Sequence, residues 1–398
     1  MELFKDKKDC TGCGACLNIC PRGAIEMATD EYGFTYPKVD AGKCIDCGLC
    51  NRVHNARMSL NGYSSYPIVC YGMKTTDRKR SSSGGVATVL AKRIIGDGGV
   101  VYGVELDKST WKVQHIRCES LDQLELIRGS KYVQSDIGES FMRIREDLKT
   151  KNVLFVGTPC QVEGLYAYLN KRPENLLTID LVCHGCPSQQ MFSDYINSIK
   201  IRLAKNQETL INYLFRDKKN GWGTNIFGSL LTEKKIKNEF VSHTRHIYSS
   251  SDPYATYFLN GSIHRPSCYA CKFTNSNHPA DITVCDFWGI EQVNKDFDDK
   301  YGVSGVIINS EQGEQWLNKI KDETEYFETT FEDIAKGNQQ LQKPSVNPEP
   351  EILEIYKKEG WSGVEQKFNQ RSWLKRHKSQ IKQVIPKRVK SVLKRLKH

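Results

Sequence analysis

Seven cysteines in two runs near the N-terminus constrain this chain more than anything else in it. Cys10, Cys13, Cys16 and Cys20 form a Cys-x2-Cys-x2-Cys-x3-Cys run closed by Pro21, and Cys44, Cys47 and Cys50 repeat the spacing with His54 where a fourth cysteine would fall. Three thiolates on one tight loop can wrap one corner of a metal cluster, while the fourth is carried away on the helix that follows. Thiolates select soft metal centres, iron-sulfur and zinc among them. Fifteen cysteines would mean disulfides in a small secreted domain, but this chain has 398 residues and begins Met-Glu-Leu-Phe-Lys-Asp, with no apolar signal segment. Reduced thiols in a cytoplasmic setting are expected, and no membrane span, since no stretch of about eighteen apolar residues occurs.

The first run has the spacing by which bacterial two-cluster ferredoxins hold 4Fe-4S clusters, each run lending its fourth cysteine to the other cluster. Cys44, Cys47 and Cys50 with Cys20 therefore make a complete site. Cys10, Cys13 and Cys16 make the other, with His54 at the fourth corner and Asn55 in place of proline. Either His54 ligates iron, as histidine does in Rieske centres, or the corner is open, leaving a three-iron cluster or a water-ligated iron. Zinc is the alternative, because Cys-x2-Cys also suits zinc. Three evenly spaced cysteines per run and the Cys-Pro end argue against it.

The expected fold is mixed α/β (α+β). A ferredoxin-like module for two 4Fe-4S clusters spans residues 1–62, with a hairpin over Glu26 to Val39 between its halves. A mixed-sheet, flavin-binding domain spans 63–340, a proline-marked linker 341–370, and a basic amphipathic tail 371–398. That tail carries eleven Lys or Arg and no acid, so the chain's net charge of +10 belongs to its end and the body is near neutral.

Within the second domain, Ser81-Ser82-Ser83-Gly84-Gly85 precedes the helical pattern Val86, Val89, Leu90, Ile94, which makes an anion site or a plain capped helix. Gly129 to Ser135 brings Lys131 and Tyr132 into one loop. Two apolar runs, Val153 to Gly157 and Leu176 to Val182, read as buried strands followed by helices, and both end at cysteines, Cys160 and Cys183. Such units suggest a sheet whose site lies along its carboxyl edge. Residues 209 to 262 read as a strand-rich insertion, with Leu210 to Phe215 and Asn225 to Leu231 as strands. Cys160, Cys183, Cys268 and Cys271 are candidates for a third 4Fe-4S cluster, with zinc at the Cys268 pair as the alternative. Cys70, Cys118, Cys186 and Cys285 read as small apolar residues.

Taken in order, the cysteine runs, Ser-Ser-Ser-Gly-Gly, Gly-Ser-Lys-Tyr-Val-Gln-Ser, Gly-Thr-Pro-Cys-Gln, Cys-His-Gly-x-Pro-Ser, Cys-x2-Cys and Ala-Asp-Ile-x-x-x-Asp-Phe-Trp-Gly resemble the beta subunits of coenzyme F-420 (deazaflavin) reducing hydrogenases and dehydrogenases. The likeness is greatest to bacterial relatives found with surface-polysaccharide genes, and it runs from residue 1 to about 310. It implies FAD fed by iron-sulfur clusters. It places the flavin near Ser81, Ser82, Ser83, Gly84 and Gly85, Lys131 and Tyr132, and Gly157, Thr158 and Gln161. His54 departs from the family's cysteine, and Cys285 stands where glycine is usual before Asp286.

The function expected is an oxidoreductase passing electrons from a redox donor protein, a ferredoxin or reductase subunit, through 4Fe-4S clusters to FAD and on to a small organic acceptor, with surface-polysaccharide biosynthesis as a setting. His184 is a candidate proton donor, or a turn residue capping the next helix. The rivals are a deazaflavin-reducing subunit, a non-catalytic electron-transfer subunit, and a redox sensor using the irregular cluster. In the tail, Val389, Leu393 and Leu396 lie on one helical face among basic residues. That suits peripheral contact with an anionic membrane surface, and no nucleic-acid recognition module accompanies it.

Overall fold

The computed structural model describes residues 3–59, 67–224, 226–237 and 239–384. Its strands are β1 (Ile25–Thr29), β2 (Thr35–Val39), β3 (Val69–Thr75), β4 (Val100–Asp107), β5 (Lys112–Cys118), β6 (Val153–Gly157), β7 (Leu176–Leu181), β8 (Glu208–Leu214), β9 (Ile226–Ile236), β10 (Glu239–Tyr248), β11 (Ile282–Asp286), β12 (Ser304–Ile308) and β13 (Thr324–Thr329). Its helices are α1 (Ala15–Ile19), α2 (Leu49–Ser59), α3 (Val86–Gly96), α4 (Leu121–Ile127), α5 (Ser140–Asp147), α6 (Pro159–Leu169), α7 (Gln189–Ala204), α8 (Pro253–Asn260), α9 (Ile290–Val293), α10 (Glu311–Asn318), α11 (Phe331–Gly337), α12 (Glu351–Asn369) and α13 (Trp373–Val384).

Eight strands form one mixed sheet in the order β13-β3-β12-β11-β7-β6-β4-β5. The central run β4, β6, β7 and β11 is parallel. β12 lies antiparallel to both β11 and β3, so β3 points the same way as that run. Five strands therefore end at one edge, which collects Ser81 to Gly85 after β3, Cys160 after β6, Cys183 after β7 and Asp286 at the end of β11. The sequences of β6 (Val-Leu-Phe-Val-Gly) and β7 are nearly unbroken apolar runs because both faces are covered. On one face, Val89, Leu90 and Ile94 of α3 and Leu317 of α10 pack on Leu154, Leu177 and Ile282. On the other, Phe141 of α5 and Val162 and Leu165 of α6 pack on Val153 and Phe155.

The N-terminal module joins this second layer. Cys13, Ala15 and Val53 belong to the same buried group as Val162 and Phe141, so the hairpin β1–β2 and helices α1 and α2 are docked on the larger domain. The strand-rich insertion is the antiparallel meander β8-β9-β10. It encloses an aromatic core with α7 and α8 that includes Phe192, Tyr195, Tyr213 and Tyr254.

The structure corrects the linker expected over 341–370. Helix α12 fills most of it and buries Ile352, Tyr356, Trp361, Val364 and Phe368 against α7 and α8. Pro344, Pro348 and Pro350 mark only the approach, and the apolar residues beyond them keep helical spacing on either side of Gly360, which breaks the helix at φ 65°. The start of the basic tail is also docked, since Ser379 of α13 bonds Ser249 Oγ at 2.7 Å and its N–H donates to Ser250 Oγ at 2.8 Å. Residues 385–398, on which most of the amphipathic pattern falls, lie outside the described residues. Among the described residues no helix is long and apolar enough to cross a membrane.

Candidate metal centres

The two cysteine runs form two pockets, and their linings follow the crosswise pattern. One is lined by Cys20, Cys44, Cys47 and Cys50. The other is lined by Cys10, Cys13, Cys16 and His54. Left-handed glycines make the tight loops possible: Gly12 and Gly14 have φ of 68° and 74°. Cys20 Sγ accepts the Ala24 N–H at 3.2 Å and Cys44 Sγ the Asp46 N–H at 3.4 Å. Cys47 is exposed while Cys10 and Cys13 are buried, so the second-run site faces solvent and the first-run site faces the protein. Among the described residues no three His, Cys, Asp or Glu converge on one point as a single ion requires. A four-iron cluster spreads its thiolates over separate irons, and the pocket linings fit that wider demand.

The third cysteine set assembles at the carboxyl edge. Pro159 and a capping box between Thr158 and Gln161 start α6 and fix Cys160 in its first turn, with Thr158 Oγ1 3.2 Å from Cys160 Sγ. Cys183 and Cys186 occupy the loop after β7 with their sulfurs 4.0 Å apart. Cys268 and Cys271 sit on the turn Pro266–Ala270 and its cap. Burial pushes the Cys160 thiol up to about 12, and the neighbouring Cys183 and Cys271 act in the same direction. Burial likewise raises Cys271 to about 11 and raises Cys268, with Cys183 and Cys160 among its neighbours. The bond with Cys183 and then burial raise Cys186, and that same bond lowers Cys183. Burial thus disfavours the thiolate at Cys160, Cys268 and Cys271; a coordinated metal deprotonates its thiols outright. Cys186 stands beside Cys183 and is not the isolated apolar residue its sequence context suggests. With it, five cysteines are candidates here, one more than a four-iron cluster requires. Beside it, His278 Nδ1 lies 3.1 Å from the Asp180 carboxylate, both fully buried.

The remaining cysteines behave as small buried side chains. Cys70 and Cys118 are buried, with thiols pushed up to about 12 and about 11 by desolvation. Cys285 lies in β11 with its sulfur where a Cβ on Gly305 of β12 would come within 2.8 Å, which fixes glycine opposite it.

Residues expected around a flavin meet along the Gly129 to Ser135 loop. Ser130 donates to Ser82 Oγ from its N–H at 2.8 Å, and Gln161 Nε2 donates to Ser135 Oγ at 3.0 Å. Gly157 ends β6 at the same edge. The structure corrects the role of the serine turn's donors, which are engaged internally. Ser81 Oγ donates to Asp77 O, Ser83 Oγ to Val303 O, and the Gly84 N–H to Ser304 Oγ. Gly85, at φ 92°, only admits the turn into α3. Lys131 Nζ donates to Leu126 O and Arg128 O at the end of α4, and burial brings it down to about 7. Its ammonium is taken up by carbonyls at the end of α4. Tyr132 stacks on Phe258 at 4.8 Å.

Nearby groups that sequence reasoning missed supply charge and aromatic surface. Asp286 accepts from Arg216 at 2.6 Å and from Trp222 Nε1 at 2.7 Å, and Trp222 stacks on Trp288 at 4.5 Å. Lys218 Nζ donates to Arg78 O at 2.6 Å and reaches Ser83 O at 3.4 Å, and burial lowers it to about 8. The Asp-Phe-Trp-Gly motif pointed to Asp286; its partners lay in a segment with no chemical spacing of its own. His184 has Nε2 3.0 Å from Leu259 O and Nδ1 against Gln340, so both ring nitrogens are engaged within the protein. Ser188, not His184, caps α7, accepting from the Met191 N–H.

Two stretches of the chain match known families. Residues 9–53 match the 4Fe-4S dicluster domain, and residues 150–333 match the family described as the C terminus of the coenzyme F420 hydrogenase/dehydrogenase beta subunit. Over residues 150–333 the chain is similar to the F420 hydrogenase/dehydrogenase beta-subunit family, and over 9–53 to dicluster ferredoxins. Among curated relatives, the chain is similar to the F subunit of the F(420)H(2) dehydrogenase of Methanosarcina mazei, 23% identical over 80% of this chain and 84% of that protein. It is 25% identical to the coenzyme F420-dependent sulfite reductase of Methanocaldococcus jannaschii, over 40% of this chain and 25% of the relative. Of solved structures, it is similar to a chain of the F420-reducing [NiFe] hydrogenase complex from Methanosarcina barkeri, with TM-score 0.43 and 16% identity over 72% of this chain and 98% of that one. Its iron-sulfur, ferredoxin-type character and its kinship with oxidoreductase subunits are thereby shown.

Proposed function

We propose that this protein is the iron-sulfur subunit of an oxidoreductase and carries electrons from a redox partner protein to an organic acceptor bound at the carboxyl edge of its sheet. The single observation that carries the reading is the arrangement of thiols. A solvent-facing pocket with four cysteines adjoins a buried one with three cysteines and His54, and helix α6 leads from there to the five-cysteine set. Cys13 lies against Gly164 of α6, one turn from Cys160 on the same helix. A route inward thus exists through packed protein, with the second-run site at its entrance.

The chain's own residues fit a flavin at the inner end. Trp222, Trp288 and Tyr132 offer aromatic surface for its ring, while Asp286 holds Arg216 and Trp222 in place and backbone carbonyls hold Lys218. FAD supplies the exchange between single electrons and electron pairs that clusters cannot perform. The names of the curated relatives favour the deazaflavin coenzyme F420 as the organic partner, with this chain as the subunit that serves it. His184 remains a candidate only for orienting the acceptor, because its nitrogens already bond protein groups.

Anaerobic purification with iron, sulfide and flavin quantified per chain tests this reading. Iron and sulfide matching two clusters or more, with bound FAD, support it. A chain that binds only zinc, or no metal, refutes it. Cluster-bearing protein without FAD that is reduced by the deazaflavin coenzyme would assign the organic carrier to the partner.

A further inference from the structure

Arg265 is the largest side chain among those fully buried, at 1% exposure. Its guanidinium donates to Cys10 O at 2.9 Å, Thr35 O at 2.9 Å and Gln134 Oε1 at 3.0 Å, and Nη2 lies 3.8 Å from Cys10 Sγ. The Tyr36 ring covers it at 4.2 Å. These partners are all uncharged while Cys10 is a thiol. Burying a guanidinium without an anion costs several kcal/mol, and no carboxylate among the described residues makes an ion pair with it. The neighbour that the guanidinium itself touches and that can supply negative charge is the Cys10, Cys13, Cys16 cluster, because thiolates outweigh the charge of an iron-sulfide core.

The need is reciprocal. Reducing a cluster adds one negative charge, and in a buried site that charge is costly. Cys10 and Cys13 are 7% and 5% exposed while Cys47 is open to solvent. Without compensation the inner cluster would be harder to reduce than the outer one, and an electron supplied by the redox partner would stop at the entrance. Hydrogen bonding, net charge and exposure are the levers on cluster potential, and Arg265 acts through the first two. Cations near the second-run site, such as Arg22, stand in solvent where screening weakens them.

We propose that Arg265 is the counter-charge of the first-run cluster and holds its reduction potential above that of the second-run cluster, which sets the inward direction of electron flow. The inference deepens the electron-transfer reading and rests on it. The reaction is the transfer of one electron from the reduced second-run cluster to the oxidised first-run cluster, with no bond made or broken in the protein. Arg265 is a positioning residue here: it donates to Cys10 and touches no acceptor.

The test is a redox titration of the full, cluster-loaded chain followed by electron paramagnetic resonance, on wild type, Arg265→Gln and Gln134→Glu. Arg265→Gln removes the charge; Gln134→Glu keeps the guanidinium and pairs it with a carboxylate of nearly the same shape. In both, the midpoint of the first-run cluster is expected to fall below that of the second-run cluster while the latter stays in place. A first-run midpoint unmoved in a cluster-bearing Arg265→Gln chain overturns the inference. Should that variant lose iron, an unmoved midpoint in Gln134→Glu overturns it equally. A wild-type chain without clusters refutes the electron-transfer reading itself, an outcome distinct from either.

Discussion

Gly164→Ala tests the docking of the N-terminal module on α6. In an exposed helix interior this change stabilises by about 1 kcal/mol. Here the added Cβ would lie 2.8 Å from Cys13 Sγ and 2.9 Å from Cys13 Cβ, with Phe141 3.6 Å away. Overpacking of this kind costs about 1–3 kcal/mol, so the net effect runs from near neutral to about 2 kcal/mol of destabilisation. The clash falls on a proposed cluster ligand, which cannot rotate away once it is bound to iron. Gly96→Ala at the end of α3 is the control, since nothing lies within 4 Å of its added methyl. At roughly 1 °C per kcal/mol in a chain of 398 residues, Gly164→Ala should melt about 1–3 °C below Gly96→Ala. The paramagnetic spectrum of the first-run cluster should broaden while the second-run signal is unchanged. Gly164→Ala protein that melts with the control and keeps both spectra would refute the placement of Cys13 against α6.

Four further outcomes are expected. His115 is buried, with its pKa held down to about 4 by desolvation, so the unfolded chain protonates first. The stability it contributes is complete above about pH 6.5 and is lost as pH falls from there toward 4, by up to about 3 kcal/mol. His115→Phe should flatten the slope of unfolding free energy against pH in that window, and an unchanged slope would exclude this residue as the source. Cys186→Ser should leave the iron content of the third set intact if the other four cysteines suffice, whereas Cys268→Ser should lower it; equal losses would make Cys186 a ligand. Trp361→Ala, in α12 against Tyr195 and Tyr254, should destabilise by about 3–5 kcal/mol, and a melting temperature equal to wild type would return this segment to linker status. Deleting residues 385–398 should reduce sedimentation with anionic liposomes at low salt; undiminished sedimentation removes the tail from any membrane role.

The metal-binding module was legible because its chemistry is local. Cysteine spacing sets the loop, and the loop sets which pocket each thiol lines, so Cys20 with Cys44, Cys47 and Cys50 followed from the sequence without any long-range knowledge. The third set was only partly legible. Cys160 and Cys183 ended recognisable strands, but the 4.0 Å approach of Cys186 to Cys183 depends on the path of a loop that periodicity does not report. Lys131 and the serine turn were misjudged for the opposite reason. Their composition suited an anion, yet α4 offered Lys131 carbonyls and β12 offered Gly84 a serine, and such partners are fixed by tertiary packing. Pro344 to Pro350 misled because proline marks where a helix cannot continue and says nothing against one starting beyond it.

The enclosure of Cys10 has a consequence for how the protein is made. Its carbonyl is bonded by Arg265, 255 residues later in the chain, and Tyr32 of the same module bonds Glu354, 322 residues after it. A ribosome working at roughly 5–20 residues per second leaves an interval of tens of seconds between synthesis of the first cysteine run and arrival of the residues that shut it in. Iron delivery to the inner site has that interval as its natural opening, and a scaffold protein that donates preformed clusters would have to meet the nascent chain before its later half folds.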